Sequence, residues 1–151
     1  FSLPTAVVQG RGEQVGSANL RWSGWTVLVF GNQPVSTVEV YRAWRPEDSG
    51  ASSGDEIGQI LDAEDAAALA KLCRNDLEPA VFRVCPAIEP MFRRVEQAGI
   101  GPIRISGAGS TFFALFDERE TAQDAARELE QQGYRTAVAG VGRNAQIDQL
   151  G

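Results

Sequence analysis

Apolar positions recur along this chain with two different periods, and the changes between them mark out its elements. Residues 25 to 30, Trp-Thr-Val-Leu-Val-Phe, form an unbroken β-branched and aromatic run between Gly24 and Gly31. That pattern predicts a strand buried on both faces rather than one that is half-exposed. Beyond Pro34 the period lengthens. In Ser-Thr-Val-Glu-Val-Tyr-Arg-Ala-Trp, 36 to 44, Ser36 or Thr37 can cap a helix, Glu39 complements its dipole, and Val40 and Trp44 share one face. A short helix is predicted there. Residues 62 to 72 are alanine-rich and amphipathic, and Asn75 or Asp76 then offers a cap before Glu78 and a first-turn Pro79. A cap contributes about 1 kcal/mol, which is reason enough for either residue.

Residues 86 to 99 set Ile88, Met91, Phe92 and Val95 at helical spacing, with Gly99 as a stop, and the stripe reads as core. Strands at 103 to 105 and 112 to 116 flank a glycine turn. A helix over 118 to 133 carries Ala122, Ala125, Ala126 and Leu129 on one face, and Tyr-Arg-Thr-Ala-Val-Ala-Gly-Val supplies a last strand. At the amino end, Thr5 to Val8 and Val15 to Leu20 flank Gly10 and Gly12, a hairpin ribbon. Residues 45 to 56 are polar, Gly/Ser-rich and aperiodic, and read as a mobile segment. The order β, helices, β, β, α, β predicts an α+β fold. Its form is a ferredoxin-like antiparallel sheet with helices on one face, preceded by an N-terminal β-ribbon.

Composition narrows what such a fold can do. A chain of 151 residues, 43% apolar and 23% charged, suits one main core, and no apolar run approaches the ~20 residues that cross a bilayer. No membrane association is expected. A formal charge of -6 opposes binding to a nucleic-acid backbone, so no nucleic-acid partner is expected either. There is no histidine, which removes the usual base of a Ser-His triad and the commonest zinc ligand. Cys73 and Cys85 lie in apolar helical contexts with no signal peptide in view, and read as reduced thiols of a cytoplasmic protein. The opening Phe-Ser-Leu-Pro-Thr lacks an initiator Met and starts in mid-pattern, so a fragment is expected.

Chemistry concentrates at Ile-Ser-Gly-Ala-Gly-Ser-Thr-Phe-Phe-Ala-Leu-Phe-Asp, 105 to 117. A Walker loop needs Lys-Ser/Thr and a following helix, and a dinucleotide fingerprint needs the helix too, whereas this loop joins strand to strand. Periodicity favours a plain hairpin turn. The second reading rests on Gly107 and Gly109, which allow consecutive N–H groups to converge on an anion, with hydroxyls following at Ser110 and Thr111.

Arg-Ile-Ser-Gly-Ala-Gly-Ser-Thr-Phe-Phe resembles the third conserved motif of the GHMP kinases. Together with Pro-Thr-Ala-Val-Val-Gln-Gly-Arg-Gly-Glu, Pro-Val-Ser-Thr-Val-Glu-Val-Tyr-Arg-Ala-Trp and Asn-Asp-Leu-Glu-Pro-Ala-Val-Phe-Arg-Val, it is similar in order and spacing to the kinases of 4-diphosphocytidyl-2-C-methyl-D-erythritol. The resemblance runs from Thr5 to about Val141. It implies an ATP- and Mg-dependent transfer of phosphate to the 2-hydroxyl of that cytidine diphosphate methylerythritol, in non-mevalonate isoprenoid synthesis. Tyr41 would stack on the cytosine, and Thr37 would lie in the same pocket. Ser106, Gly107, Ala108, Gly109, Ser110 and Thr111 would lie beside the phosphates.

The family's Lys/Asn substrate motif, catalytic Asp and second glycine-rich motif have no counterpart in the chain. No catalytic or metal-ligating residue is therefore assigned to it. The resemblance implies a carboxy-terminal kinase domain over 23 to 151, with residues 1 to 22 as the last strands of a missing amino-terminal domain, and no catalysis by this piece alone. The alternatives are a non-catalytic ferredoxin-like module that binds a ligand or itself, and a GHMP kinase with another acceptor.

Overall fold

The computed structural model describes residues 5–9, 13–50 and 55–144. In chain order the elements are β1 (Ala6–Gln9), β2 (Gln14–Ser17), β3 (Gly24–Phe30), α1 (Thr37–Ala43), α2 (Glu56–Asp62), α3 (Ala66–Leu72), α4 (Glu78–Val84), α5 (Ile88–Gln97), β4 (Arg104–Ile105), β5 (Thr111–Phe116), α6 (Arg119–Gln131) and β6 (Arg135–Val141). Strands β1 and β2 make a separate antiparallel ribbon, and the Gly10 and Gly12 assigned to its turn lie outside the described residues.

The remaining strands form one antiparallel sheet in the order β4-β5-β3-β6, the arrangement that the α+β, ferredoxin-like pattern predicts. Trp25 lies opposite Phe116 of β5 and Gly140 of β6, which fixes the register of the centre. One face of the sheet presents Val27, Val29, Ile105, Phe112 and Ala114, each no more than 1% exposed. Helices α1, α4, α5 and α6 close over it with Val40, Val81, Ile88, Met91, Phe92, Val95, Ala122 and Leu129. The Met91 and Phe92 stripe is core, as its spacing requires. Gly99, at φ 75, ends α5 in a conformation that costs glycine little.

The second face corrects the reading of β3 as a fully buried run. Burial alternates along it, with Thr26, Leu28 and Phe30 only half-buried. That is the signature of an antiparallel strand with one well-covered side. The cover on this second face is itself an addition to the expected layout: α2 and α3 pack a small satellite core of Trp22, Ala63, Ala66 and Leu69 against Leu115 and Val141. The amphipathic stretch at 62 to 72 is helical only from Ala66, as α3, after its cap Asp65, whose carboxylate accepts from the Ala68 amide at 2.6 Å; Asp62 closes α2, a separate helix.

Within the polar stretch read as mobile, Pro46–Asp48 forms a 3-10 turn and Asp48 pairs with Arg83, whose guanidinium also donates to the Ala43 carbonyl at 2.8 Å. Hydrogen bonding from Arg83 holds the Asp48 carboxyl below its ordinary value of 3.8. Residues 51 to 54 of that stretch lie outside the described residues. Cys73 and Cys85 are unpaired thiols.

Asp117, where the apolar run of β5 ends, is a structural junction. One of its oxygens accepts from the Trp22 indole at 2.7 Å and from the Ala66 amide at 2.8 Å, joining the sheet, α3 and the segment after β2. Replacing it with alanine leaves the indole N–H of a side chain 2% exposed without its partner. Asp117→Ala is expected to lower unfolding stability by about 2 to 3 kcal/mol in urea titrations, the cost of stranding a buried donor. A change under about 0.5 kcal/mol, the level of an ordinary surface substitution, would show that water replaces the carboxylate freely.

Candidate functional site

The glycine segment is a hairpin turn, as its pattern favours. Ile105 of β4 faces Phe112 of β5, the Ser106 amide donates to the Thr111 carbonyl at 2.8 Å, and the Gly109 amide donates to the Ser106 carbonyl at 3.0 Å. Gly107 occupies the first central position of that turn at φ 55, and Gly109 follows at φ 82. Both are conformations for which a side chain is penalised. The expected convergence of amides is thereby reduced. Gly109 spends its N–H inside the turn, whereas those of Gly107 and Ala108 make no hydrogen bond among the described residues. Ser106 and Gly107 are exposed, and Ala108, Gly109, Ser110 and Thr111 are half-buried.

Three elements hold this loop. Gly31, just past β3, donates to the Ser110 carbonyl at 3.0 Å and packs against Ser110 so closely that a Cβ there would fall within 2.6 Å of the serine Cβ. Gly109 lies over Val81 of α4 and Val35, whose methyls would stand 3.2 and 3.8 Å from a Cβ added to it. On the far side Asn75 donates through its carboxamide to the Ile105 carbonyl at 2.8 Å and the Gly107 carbonyl at 2.7 Å, while its oxygen accepts from the Leu77 amide at 3.0 Å. Glu78 completes the arrangement by accepting from the Ile105 amide at 3.4 Å.

These contacts correct the reading of Asn75 or Asp76 as the cap of α4. The cap position is Leu77, without a side-chain bond, and Asn75 turns its amide group to the loop instead. Nothing in the local sequence distinguishes a capping asparagine from one that reaches 30 residues ahead; the order of the strands does.

Val35 also ties the loop to α1, which begins two residues later. Ser36 caps that helix, accepting from the Glu39 amide at 3.4 Å, and Val40 anchors its inner face with no exposure. Thr37 is the first residue of the helix, and Tyr41 lies four residues, about 6 Å, further along. Both are exposed. Tyr41 is 63% exposed, which removes any core role; Val38 is exposed too, and Trp44, expected to share the buried face of Val40, is the C-cap after α1 and 38% exposed. The described contact between this part of the chain and the loop is that of Val35, two residues before α1, with Gly109. Among the described residues no three Asp, Glu or Cys side chains gather to hold a metal ion. No helix among them is long and apolar enough to cross a membrane.

Comparison with known proteins bears on the fold and the family. Residues 56–135 match the family model described as GHMP kinases C terminal. The chain is 31% identical over 134 residues to the 4-diphosphocytidyl-2-C-methyl-D-erythritol kinase of Chlorobium limicola, covering 88% of this chain and 46% of that protein. It is 39% identical over 104 residues to the enzyme of the same name from Granulibacter bethesdensis, covering 66% and 32%. A crystal structure of 4-(cytidine 5'-diphospho)-2C-methyl-D-erythritol kinase superposes with a TM-score of 0.73 at 31% identity, over 91% of this chain and 49% of that one. Homoserine kinase from Cytophaga hutchinsonii shares the fold, at a TM-score of 0.63 and 17% identity. The chain spans about half the length of the curated relatives it matches. With its strand order, its pinned glycine hairpin and the family match over its larger part, the chain belongs to the GHMP kinases, a family of small-molecule kinases, and carries their carboxy-terminal domain.

Proposed function

We propose that this chain is the acceptor-side half of an ATP-dependent kinase that phosphorylates the 2-hydroxyl of 4-diphosphocytidyl-2-C-methyl-D-erythritol. The observation that carries the reading is the hairpin's two unspent backbone donors, supported by an exposed tyrosine on a helix whose approach, at Val35, packs against the same hairpin. The donors suit phosphate oxygens and the ring a nucleobase. Residues 106 to 111 fit a phosphate through the amides of Gly107 and Ala108 and the hydroxyls of Ser106, Ser110 and Thr111. Tyr41 offers its ring to the cytosine, with Thr37 in the same pocket. Residues 1 to 22 are then the approach from the kinase's other domain, with β1 and β2 as its closing strands and Trp22 packed into this one.

In the transfer, the acceptor oxygen bonds to the γ-phosphorus of ATP as the bridging oxygen leaves with ADP, and the hydroxyl proton passes to a carboxylate of the other domain. Most of what a protein adds to such a reaction is alignment and charge stabilisation, and alignment is the task given to this half. Magnesium accompanies ATP in this chemistry, but the described residues do not fit a metal site, and this half contributes no step through it.

The test is turnover. The full-length protein carrying this chain is expected to phosphorylate the cytidyl substrate with ATP, whereas the 151-residue chain turns over nothing and binds ATP weakly or undetectably by calorimetry. A folded full-length protein inactive on every alcohol acceptor overturns the reading, and activity confined to acceptors without a base assigns the chain to a different GHMP kinase. Tyr41→Ala should leave the melting temperature unchanged, because the ring is exposed, and raise KM for the cytidyl substrate about 5- to 150-fold, the equivalent of one stacked base. Tyr41→Phe should restore most of the loss. Equal KM in all three proteins would remove Tyr41 from the pocket.

A further inference from the structure

We infer that Asn75, with Glu78 beside it, is a positioning residue for the proposed phosphoryl transfer: it orients the glycine hairpin so that its unspent amides face outward. The inference rests on the kinase reading above. β4 is only two residues long and lies at the edge of the sheet, where backbone groups normally find water or a neighbouring strand. At Ile105, 1% exposed, neither is at hand. Its N–H is met by the Glu78 carboxylate and its carbonyl by the Asn75 amide, so two side chains from the start of α4 stand where another strand would pair.

Asn75 then extends the same hydrogen bonding one step into the turn, to the Gly107 carbonyl. A trans peptide unit is planar, with its C=O and N–H pointing in opposite directions. Holding the Gly107 carbonyl toward Asn75 therefore directs the Ala108 N–H away from it. The Ser106 carbonyl, held by the Gly109 amide, turns the Gly107 N–H outward in the same way. Both donors that remain for an anion are thus aimed by acceptors tied down on the opposite edge of their peptide planes. Both carboxamide hydrogens of Asn75 are used for this, and its oxygen is committed to Leu77.

A change of one group separates this role from the local turn that Asn75 makes with Leu77. Asn75→Asp keeps the oxygen that accepts from Leu77, and aspartate makes the same turn as asparagine. It replaces the donating NH2 with an acceptor facing two carbonyls. In the 151-residue chain, Asn75→Asp is expected to leave the amides of Val81 and Cys85 in α4 protected from hydrogen exchange while that of Gly109 exchanges at least tenfold faster. In the full-length kinase kcat should fall about 10- to 100-fold with KM for the cytidyl substrate changed less than about threefold, the pattern of lost alignment.

Asn75→Ala, which repels nothing, should give a smaller kcat loss of the same kind and is the variant to read if Asn75→Asp does not fold. Unchanged Gly109 exchange in the variant that folds would overturn the inference, and so would an unchanged kcat. If the unmutated full-length protein has no kinase activity, it is the kinase reading that has failed, and the exchange measurement still decides whether Asn75 orients the hairpin.

Discussion

Gly31→Ala is expected to lower the stability of the chain by about 3 kcal/mol, at the upper end of what one added methyl costs in a filled site. The new Cβ would meet the Ser110 carbonyl oxygen and stand 2.6 Å from the Ser110 Cβ and 2.7 Å from its hydroxyl. A flexible side chain could swing aside, but the obstacle is backbone, and that backbone belongs to a hairpin held from behind by Asn75 and from above by Val81. The strain has two outlets. Either the end of β3 parts from the loop, losing the Gly31 to Ser110 hydrogen bond, or the loop moves as a unit. Both displace residues 106 to 111, and a shift of about 1 Å in a group that aligns reactants can cost roughly a hundredfold in rate. Urea titration of the chain and kcat of the full-length kinase read the two effects separately. Gly16→Ala is the control, since a Cβ there meets nothing within 4 Å and should shift stability by less than about 0.5 kcal/mol. If the two variants unfold at the same urea concentration, the close approach at Gly31 is not as tight as described.

Phe92→Ala should be costlier still, about 3 to 5 kcal/mol, because it empties the place where helix and sheet layers meet. The ring is 2% exposed and packs edge-on against Phe82 at 5.5 Å and Phe112 at 5.4 Å between centroids. Edge-to-face pairs add roughly 0.5 to 1.5 kcal/mol beyond area burial, and Phe92 takes part in two of them. Domains of this size are stable by only about 5 to 15 kcal/mol, so the variant should be partly unfolded near physiological temperature. Phe92→Leu, which keeps more of the volume but gives up both ring pairs, should cost less, about 1 to 3 kcal/mol. Similar midpoints for the alanine and leucine variants would mean that the neighbouring rings collapse into the space, and that the core is more plastic than its packing indicates.

The elements that were legible in the sequence are those whose period is local. α5 and α6 announce themselves through Ile88, Met91, Phe92, Val95 and Ala122, Ala125, Ala126, Leu129, because a helix face is written at intervals of three and four. β3 was legible as a strand but not in its burial, since the cover on its second face comes from α2 and α3 and no pattern within residues 25 to 30 records where those helices go. α2 itself was hidden by Gly58 and a polar approach that scans as loop. At the site, Gly107 could be read as a turn glycine from its neighbours alone. Gly31 and Asn75 could not, as the first is required by Ser110 and the second by Ile105 and Gly107, contacts that exist only once the sheet has assembled. Tyr41 and Thr37 were singled out through family resemblance; periodicity alone leaves an exposed tyrosine on a short helix without a role.

The order of strands in the sheet has a consequence for biosynthesis. β3 is central, yet both of its neighbours, β5 and β6, follow it only after five intervening helices. On a translating ribosome β3 emerges early and has nothing to zip onto for most of the domain's synthesis, its Val27 and Val29 uncovered. Nascent chains stalled before Arg135 should therefore remain protease-sensitive throughout, and become resistant in a single step once Val141 has cleared the exit tunnel.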